Sequence, residues 1–281
     1  MQSFKGCSDF AKSTSDLNCI YDGPDDYQDV RSQATVVNEL LQQNIDGLLI
    51  SITDSKFLAR SALKKFAEKK IPVITFDSDL APAQHEYRMA YVGTDNYAFG
   101  QALGQYARKF KAQHSQSYCI LSGHRTSPNL NARVKGVRAV LNQADWVEHE
   151  RCTLYSMGKR DVALFQLESM MKVEQPPVLI AVAGFAQFNP KYLETIKPFK
   201  QALEKKQAVI ISADTERVQL QALKQNLSTA NIGQMPYQMG KKGAELLYQV
   251  IKTGEHPAQS EYFLDFHYCT PASADNCTQN Y

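Results

Sequence analysis

Ile71-Pro-Val-Ile-Thr-Phe-Asp77-Ser-Asp79 sets the pattern of this chain. A short apolar run stops at acidic residues, and a helix-like stretch follows. Ala208-Val-Ile-Ile-Ser-Ala-Asp214-Thr repeats the pattern, and Ala230-Asn-Ile-Gly-Gln234-Met-Pro ends in an amide instead. In a parallel α/β sheet, strand ends of this kind line one crevice, where ligands bind. Working outward, helical and extended patterns alternate along the whole chain. Strands are expected at 17–21, 47–52, 72–76, 89–92, 117–121, 150–155, 178–182, 209–212, 231–233 and 261–266. The helices between them include 2–14, 29–43, 57–69, 96–110, 130–143, 161–171, 192–205, 217–226 and 235–253. Alternation implies a mostly parallel sheet. Two successive series exceed one tidy sheet and predict an α/β protein of two doubly wound lobes joined by a multi-strand hinge. The expected crossings are Asp95-Asn96, Gln234-Met235 and the stretch near residue 262. The lobes are then 1–97 plus 235–262, and 98–234 plus 263–281. The chain opens on a helix where a strand-first order is expected, so the first strand of the first lobe is missing from this reading.

The 281 residues are 43% hydrophobic and 21% charged, with a net charge of +2, which is ordinary for a globular protein. No basic run points to nucleic acid, and no apolar stretch is long enough to span a bilayer. No signal peptide is read at the start. None of the six cysteines forms a Cys-x-x-Cys pair, which weakens zinc and redox readings. They fall into three couples, Cys7 with Cys19, Cys119 with Cys152 and Cys269 with Cys277, which favours an oxidising compartment such as the periplasm. None of the six histidines has a partner at triad or metal-site spacing, and no Gly-rich phosphate loop is present. No enzyme activity, cofactor or metal is expected.

Taken in order, the motifs resemble the type I periplasmic binding proteins, in particular the ribose- and galactose-like sugar-binding group. The resemblance rests on Asn44-Ile-Asp-Gly-Leu-Leu-Ile-Ser-Ile-Thr-Asp-Ser55, the Asp77 segment, and Tyr91-Val-Gly-Thr-Asp-Asn-Tyr-Ala-Phe-Gly100. It continues through Arg133-Val-Lys-Gly136, Ser212-Ala-Asp214-Thr and Gln234-Met-Pro-Tyr-Gln-Met-Gly240. It implies that the first strand and its aromatic stacking residues lie upstream of Met1. It also implies a ligand set: Asp77, Ser78, Asp214 and Gln234, with the family's arginine falling on either Asn131 or Arg133. Some relatives carry Arg where Ser78 stands. The stretch Ala183-Gly-Phe-Ala-Gln-Phe-Asn189-Pro departs from the family's Asn-Asp turn, and an aromatic there, Phe185 or Phe188, either stacks on a ring or caps the core. Such a protein closes over a small polar ligand, a sugar or sugar-like molecule, and presents it to a transporter permease or a sensor kinase as a soluble monomer. The alternative is the effector-binding core of a LacI-type repressor, which shares the fold but needs a helix-turn-helix that this sequence lacks.

Overall fold

A computed structural model describes residues 2–23, 29–110, 116–144 and 146–277. The strands among the described residues are β1 Leu48–Ile50, β2 Val73–Phe76, β3 Ala90–Gly93, β4 Ser117–Ser122, β5 Val147–Glu148, β6 Leu154–Tyr155, β7 Val178–Ala181, β8 Ile210–Ala213, β9 Ala230–Gly233, β10 Glu261–Phe263 and β11 His267–Cys269. They form two sheets. The first has the order β1-β2-β3-β10 and is wholly parallel. The second has the order β11-β9-β8-β7-β4-β5, with β6 also on β4, and is parallel except for the edge pair β11–β9.

The helices are α1 Gln2–Lys12, α2 Val30–Leu40, α3 Ser55–Leu58, α4 Lys64–Glu68, α5 Asn96–Lys109, α6 Pro128–Leu141, α7 Arg160–Met171, α8 Tyr192–Ile196, α9 Lys200–Glu204, α10 Arg217–Lys224 and α11 Pro236–Thr253. A π-helical turn, Ala59–Leu63, joins α3 to α4. A 3-10 turn at Lys197–Phe199, where Pro198 interrupts the ladder, separates α8 from α9. No helix among the described residues is long and apolar enough to cross a membrane.

The chain passes between the two sheets three times. Asp95 caps α5, its carboxylate accepting from the amides of Tyr97 and Ala98, and α5 leaves β3 to pack on β7, β8 and β9. Helix α11 leaves β9 and packs on β1, β2 and β3. β10 and β11 are joined by three residues, 264–266. Arg88 anchors the last crossing: it ion-pairs with Asp79 at 2.7 Å and donates from Nη1 to the Ser260 carbonyl at 2.8 Å. Each lobe is braced by two helices in backbone contact. A Cβ on Gly100 or Gly136 would collide with the carbonyl of Arg133 or Tyr97, and a Cβ on Gly6 or Gly240 with that of Tyr237 or Ser3. The α5–α6 contact is what brings Arg133 down beside Phe99 and Asn96.

The cores differ. The second sheet rests on one continuous cluster that includes Phe99, Tyr118, Ile120, Val137, Leu167, Ile180, Tyr192 and Ile211. The first rests on two smaller clusters, one around Leu58, Leu63 and Phe66, the other around Ile74, Val92 and Leu246.

Three sequence expectations need correction. Leu17–Tyr21 is irregular, because the outer edge of β1 does not reach it; Ile20 and Tyr21 are exposed. Of the strand expected at 150–155 only Leu154–Tyr155 is extended, as β6; β5 lies before it at Val147–Glu148, and Arg151 between the two sits at φ 65°. The strand expected at 261–266 is two strands on different sheets. All three cysteine couples are disulfide-bonded.

Candidate ligand-binding site

The two sheets end on each side of one space in the same way. Thr75 of β2 pairs with Tyr91 of β3, and two residues later Asp77 turns to φ 57° and its N–H donates to the Val92 carbonyl at 3.2 Å. Ser212 of β8 pairs with Asn231 of β9, and two residues later Asp214 turns to φ 72° and its N–H donates to the Ile232 carbonyl at 2.7 Å. The left-handed region ends the strand and costs roughly 1 kcal/mol or more per residue, less for Asp than for most residues. Strained backbone at two matching strand ends is the kind of feature that clusters at ligand clamps.

Arg133 of α6 ties the two ends together from below. It is 2% exposed. Its Nε donates to Asn96 Oδ1 at 2.7 Å, Nη1 to the Val182 carbonyl at 2.9 Å, and Nη2 to Gln234 Oε1 at 2.7 Å. Its guanidinium lies 4.6 Å from the Phe99 ring centroid, and Nη2 stands 4.0 Å from the Asp77 carboxylate. Five N–H donors minus these three leave two for a ligand. Gln234 is equally committed: Oε1 also accepts from Thr94 Oγ1 at 3.1 Å, and Nε2 donates to Asp214 Oδ1 at 2.9 Å. The other Asp214 oxygen accepts from the Gly184 N–H at 3.2 Å.

Asp77 is less well served. Ser51 Oγ donates to its Oδ2 at 3.2 Å. Burial pushes the Asp77 carboxyl above the usual carboxylate range; the Arg133 charge opposes this and the Asp214 charge adds to it. Next to it, Ser78 is buried and its hydroxyl has no partner, a state that costs free energy. Burial also raises Glu216, which lies on the same surface.

A cavity of about 1020 Å³ holds these groups. At one end it is lined by Phe76, Asp77, Ser78, Asn129, Arg133, Phe185, Phe188, Asp214 and Gln234. It extends along β1 and residues 17–23, where Phe4, Val37, Leu40, Leu247 and Ile251 line it together with the polar Asp16, Gln33, Asn44, Asp46 and Lys252. Few convergent polar groups among apolar walls is the make-up of a small-molecule site.

Residues 1–256 match the model of the periplasmic binding protein domain. The chain belongs to that family. Among curated proteins, this periplasmic binding protein is 27% identical over 232 residues to the ribose import binding protein RbsB of Salmonella typhimurium, covering 82% of this chain and 73% of RbsB. It is 25% identical over 143 residues to the D-ribose/D-allose-binding protein of Pseudomonas aeruginosa, covering 50% of this chain; the match spans 44% of that relative. Among solved structures, an ABC transporter solute-binding protein from Burkholderia graminis in complex with D-arabinose superposes with a TM-score of 0.82 at 19% identity, covering 99% of this chain and 93% of that one.

In this periplasmic binding protein, Asp77, Ser78, Arg133, Phe185, Asp214 and Gln234 all line the one cavity. Phe185 does so while also packing in the core of the second sheet. Asn131 does not line it: its amide donates to the Arg125 carbonyl at 2.8 Å. Residues two apart on a helix point about 200° apart, so Asn131 and Arg133 cannot share a face. Asn129, two residues before Asn131, takes the cavity position. Phe188, the other aromatic of the stretch 183–189, lines the cavity too, and Ser51, Thr94, Asn96 and Gly184 join the site without being expected there. Ser51 was legible as a strand-end polar residue, and Thr94 and Asn96 as neighbours of the crossing. The Gly184 amide carries no side-chain signal.

Proposed function

We propose that the protein is an extracytoplasmic solute-binding protein that closes over one small neutral polyhydroxylated ligand, a sugar in the first instance. The closed form is then presented, by a monomer, to a membrane transporter or a sensor kinase. The lobes that close are 1–97 plus 235–262 and 98–234 plus 263–281, hinged where the chain crosses between sheets. Asp77, Ser78, Arg133, Asp214 and Gln234 are the polar contacts, and Phe185 and Phe188 face the apolar side of the ring. The observation that carries this reading is the matched pair of carboxylates, Asp77 and Asp214, on strand ends of different sheets and joined through Arg133 and Gln234. Carboxylates and a guanidinium make the stronger, charge-assisted hydrogen bonds to hydroxyl groups. The sugar-binding relatives and the sugar-bound fold neighbour support the choice of ligand class. Three disulfides suit an oxidising compartment.

The test is thermal unfolding against a panel of aldopentoses, aldohexoses and ketoses. One sugar at 100 times its Kd is expected to add about 2.7 kcal/mol of stability. A panel in which no sugar raises the unfolding temperature contradicts the reading.

A further inference from the structure

The carbonyl of each strained aspartate is held from the neighbouring strand by a buried side chain. In the first sheet this is Tyr91, 3% exposed. Its hydroxyl lies 2.9 Å from the Asp77 carbonyl and 3.0 Å from that of Thr94, sharing one proton between them, and accepts from Asn96 Nδ2 at 3.3 Å. In the second sheet it is Asn231, fully buried. Its Nδ2 donates to the Asp214 carbonyl at 2.9 Å and to Gln187 Oε1 at 2.7 Å. Gln187 also accepts from Gln219 Nε2 at 2.7 Å and donates to Ser228 Oγ at 3.0 Å, and Ser228 donates to Asn231 Oδ1 at 2.8 Å. Gln219 donates in turn to the Ala213 carbonyl, one residue before Asp214. Tyr91 and Asn231 occupy the same place in the two sheets: each pairs with the residue two before the aspartate and lies two before a strand-ending glycine, Gly93 or Gly233.

The geometry points to Tyr91 and Asn231 as positioning residues of the binding site. Each fixes its aspartate in the left-handed conformation and so aims the carboxylate at the ligand, without touching the ligand itself. Neither residue lines the cavity, so neither is a contact. Both bonds are made inside the protein, where an under-satisfied carbonyl is costly. Without Asn231 the Asp214 carbonyl loses this donor, and without the Tyr91 hydroxyl the Asp77 carbonyl keeps the longer 3.4 Å bond from Asn96 Nδ2, so either peptide is freer to relax. Tyr91 is suited to this because burial, and then the Asp77 charge, raise its hydroxyl far above the working range, keeping it a donor. Tyr91 shares its clamp with Asn96, whose Nδ2 also reaches the Asp77 carbonyl at 3.4 Å. Asn231 is one member of a closed amide network in which each named amide is satisfied, so the second aspartate is held more rigidly.

The inference rests on the proposed binding function, and the test separates the two. Calorimetric Kd values are measured for the best sugar of the panel with Tyr91→Phe, Asp77→Ala and the double variant, and with Asn231→Ala, Asp214→Ala and their double variant. Tyr91→Phe is expected to weaken binding roughly ten-fold when Asp77 is present and less than two-fold when it is absent, the coupling expected of residues in one network. Equal losses in both backgrounds, or no loss, overturn the role. If Asn231→Ala does not fold, the Tyr91 cycle decides. A second readout needs no ligand. Amide hydrogen exchange at Asp77 and Ser78 is expected to speed up in Tyr91→Phe while β2 and β3 exchange as before. Unchanged exchange at 77–78 overturns the inference, even if no sugar binds. Failure of the whole sugar panel with local exchange accelerated as expected overturns the ligand class and leaves the positioning role standing.

Discussion

The two walls of the cleft share a backbone and differ in how their carboxylates are occupied. Asp77 and Asp214 leave their strands at the same register, at φ 57° and 72°, with their amides bonded across to the next strand. Asp214 is then satisfied on both oxygens, by Gln234 and by the Gly184 amide, and rests on the continuous core of the larger sheet. Asp77 has Ser51 at 3.2 Å and Arg133 at 4.0 Å, stands beside a hydroxyl without a partner, and belongs to a four-stranded sheet on a divided core. On the proposed function, the difference makes one wall pre-built and leaves the other to be completed by its ligand. The Asp214 wall carries stability, and the Asp77 wall carries unspent binding capacity.

The largest expected effect comes from removing the group that joins them. Arg133→Ala leaves Asn96 Oδ1 and the Val182 carbonyl without their Arg133 donor inside the protein and takes one of two donors from Gln234 Oε1. It is expected to cost about 3–5 kcal/mol in urea denaturation, the range for breaking a buried charged network, and to abolish sugar binding. A stable, binding-competent Arg133→Ala would mean that the walls act separately. Close behind is the bridge Cys119–Cys152, which spans 33 residues in the larger lobe. Replacing both cysteines by Ser is expected to cost about 4 kcal/mol, against about 3 kcal/mol for Cys7–Cys19, which spans 12. Denaturation curves that reverse this order would place the stability in the smaller lobe.

The aspartates themselves sharpen the contrast. Asp77→Ala and Asp214→Ala are each expected to weaken binding about 100-fold, the scale of a lost hydrogen bond to a charged group. Only Asp214→Ala should also lower the unfolding temperature of the ligand-free protein, because it strands the Gln234 and Gly184 donors. Equal destabilisation by both would erase the distinction between the walls.

The smallest effect is a pH dependence. Burial raises the Asp77 carboxyl above its unfolded value, so the native state keeps a proton that the unfolded chain has released. Stability of the ligand-free protein should therefore fall as pH rises from the ordinary carboxylate value through the raised one, and level off above it. Ligand hydroxyls donate to the ionised form, so affinity should rise with pH over the same window. Asp77→Asn is expected to remove both slopes and to be the more stable protein at neutral pH. Unchanged slopes in Asp77→Asn would assign the titration to another group.

Much of this architecture was legible because its signals are local. An apolar run that stops at Asp77, Asp214 or Gln234 marks a strand end whatever surrounds it, and the glycines of Gly100 and Gly136 permit the helix contact that seats Arg133. What was not legible depends on neighbours. Leu17–Tyr21 has strand composition but no adjacent edge, and β11 is three residues whose pairing with β9 exists only after the chain has crossed back. Asn131 and Arg133 were equal candidates on motif alone, and the helical phase separates them. Tyr91 and Asn231 look like strand residues until their partners, 14 and 17 positions away, are seen.

The central claim is that both walls hold one ligand. A crystal structure of the protein with its best-binding sugar tests it most directly. A single sugar is expected between the sheets, with hydroxyls within hydrogen-bond distance of the carboxylates of both Asp77 and Asp214 and of the two remaining Arg133 donors. A sugar held by residues of one sheet alone, or bound outside the cleft, would contradict it.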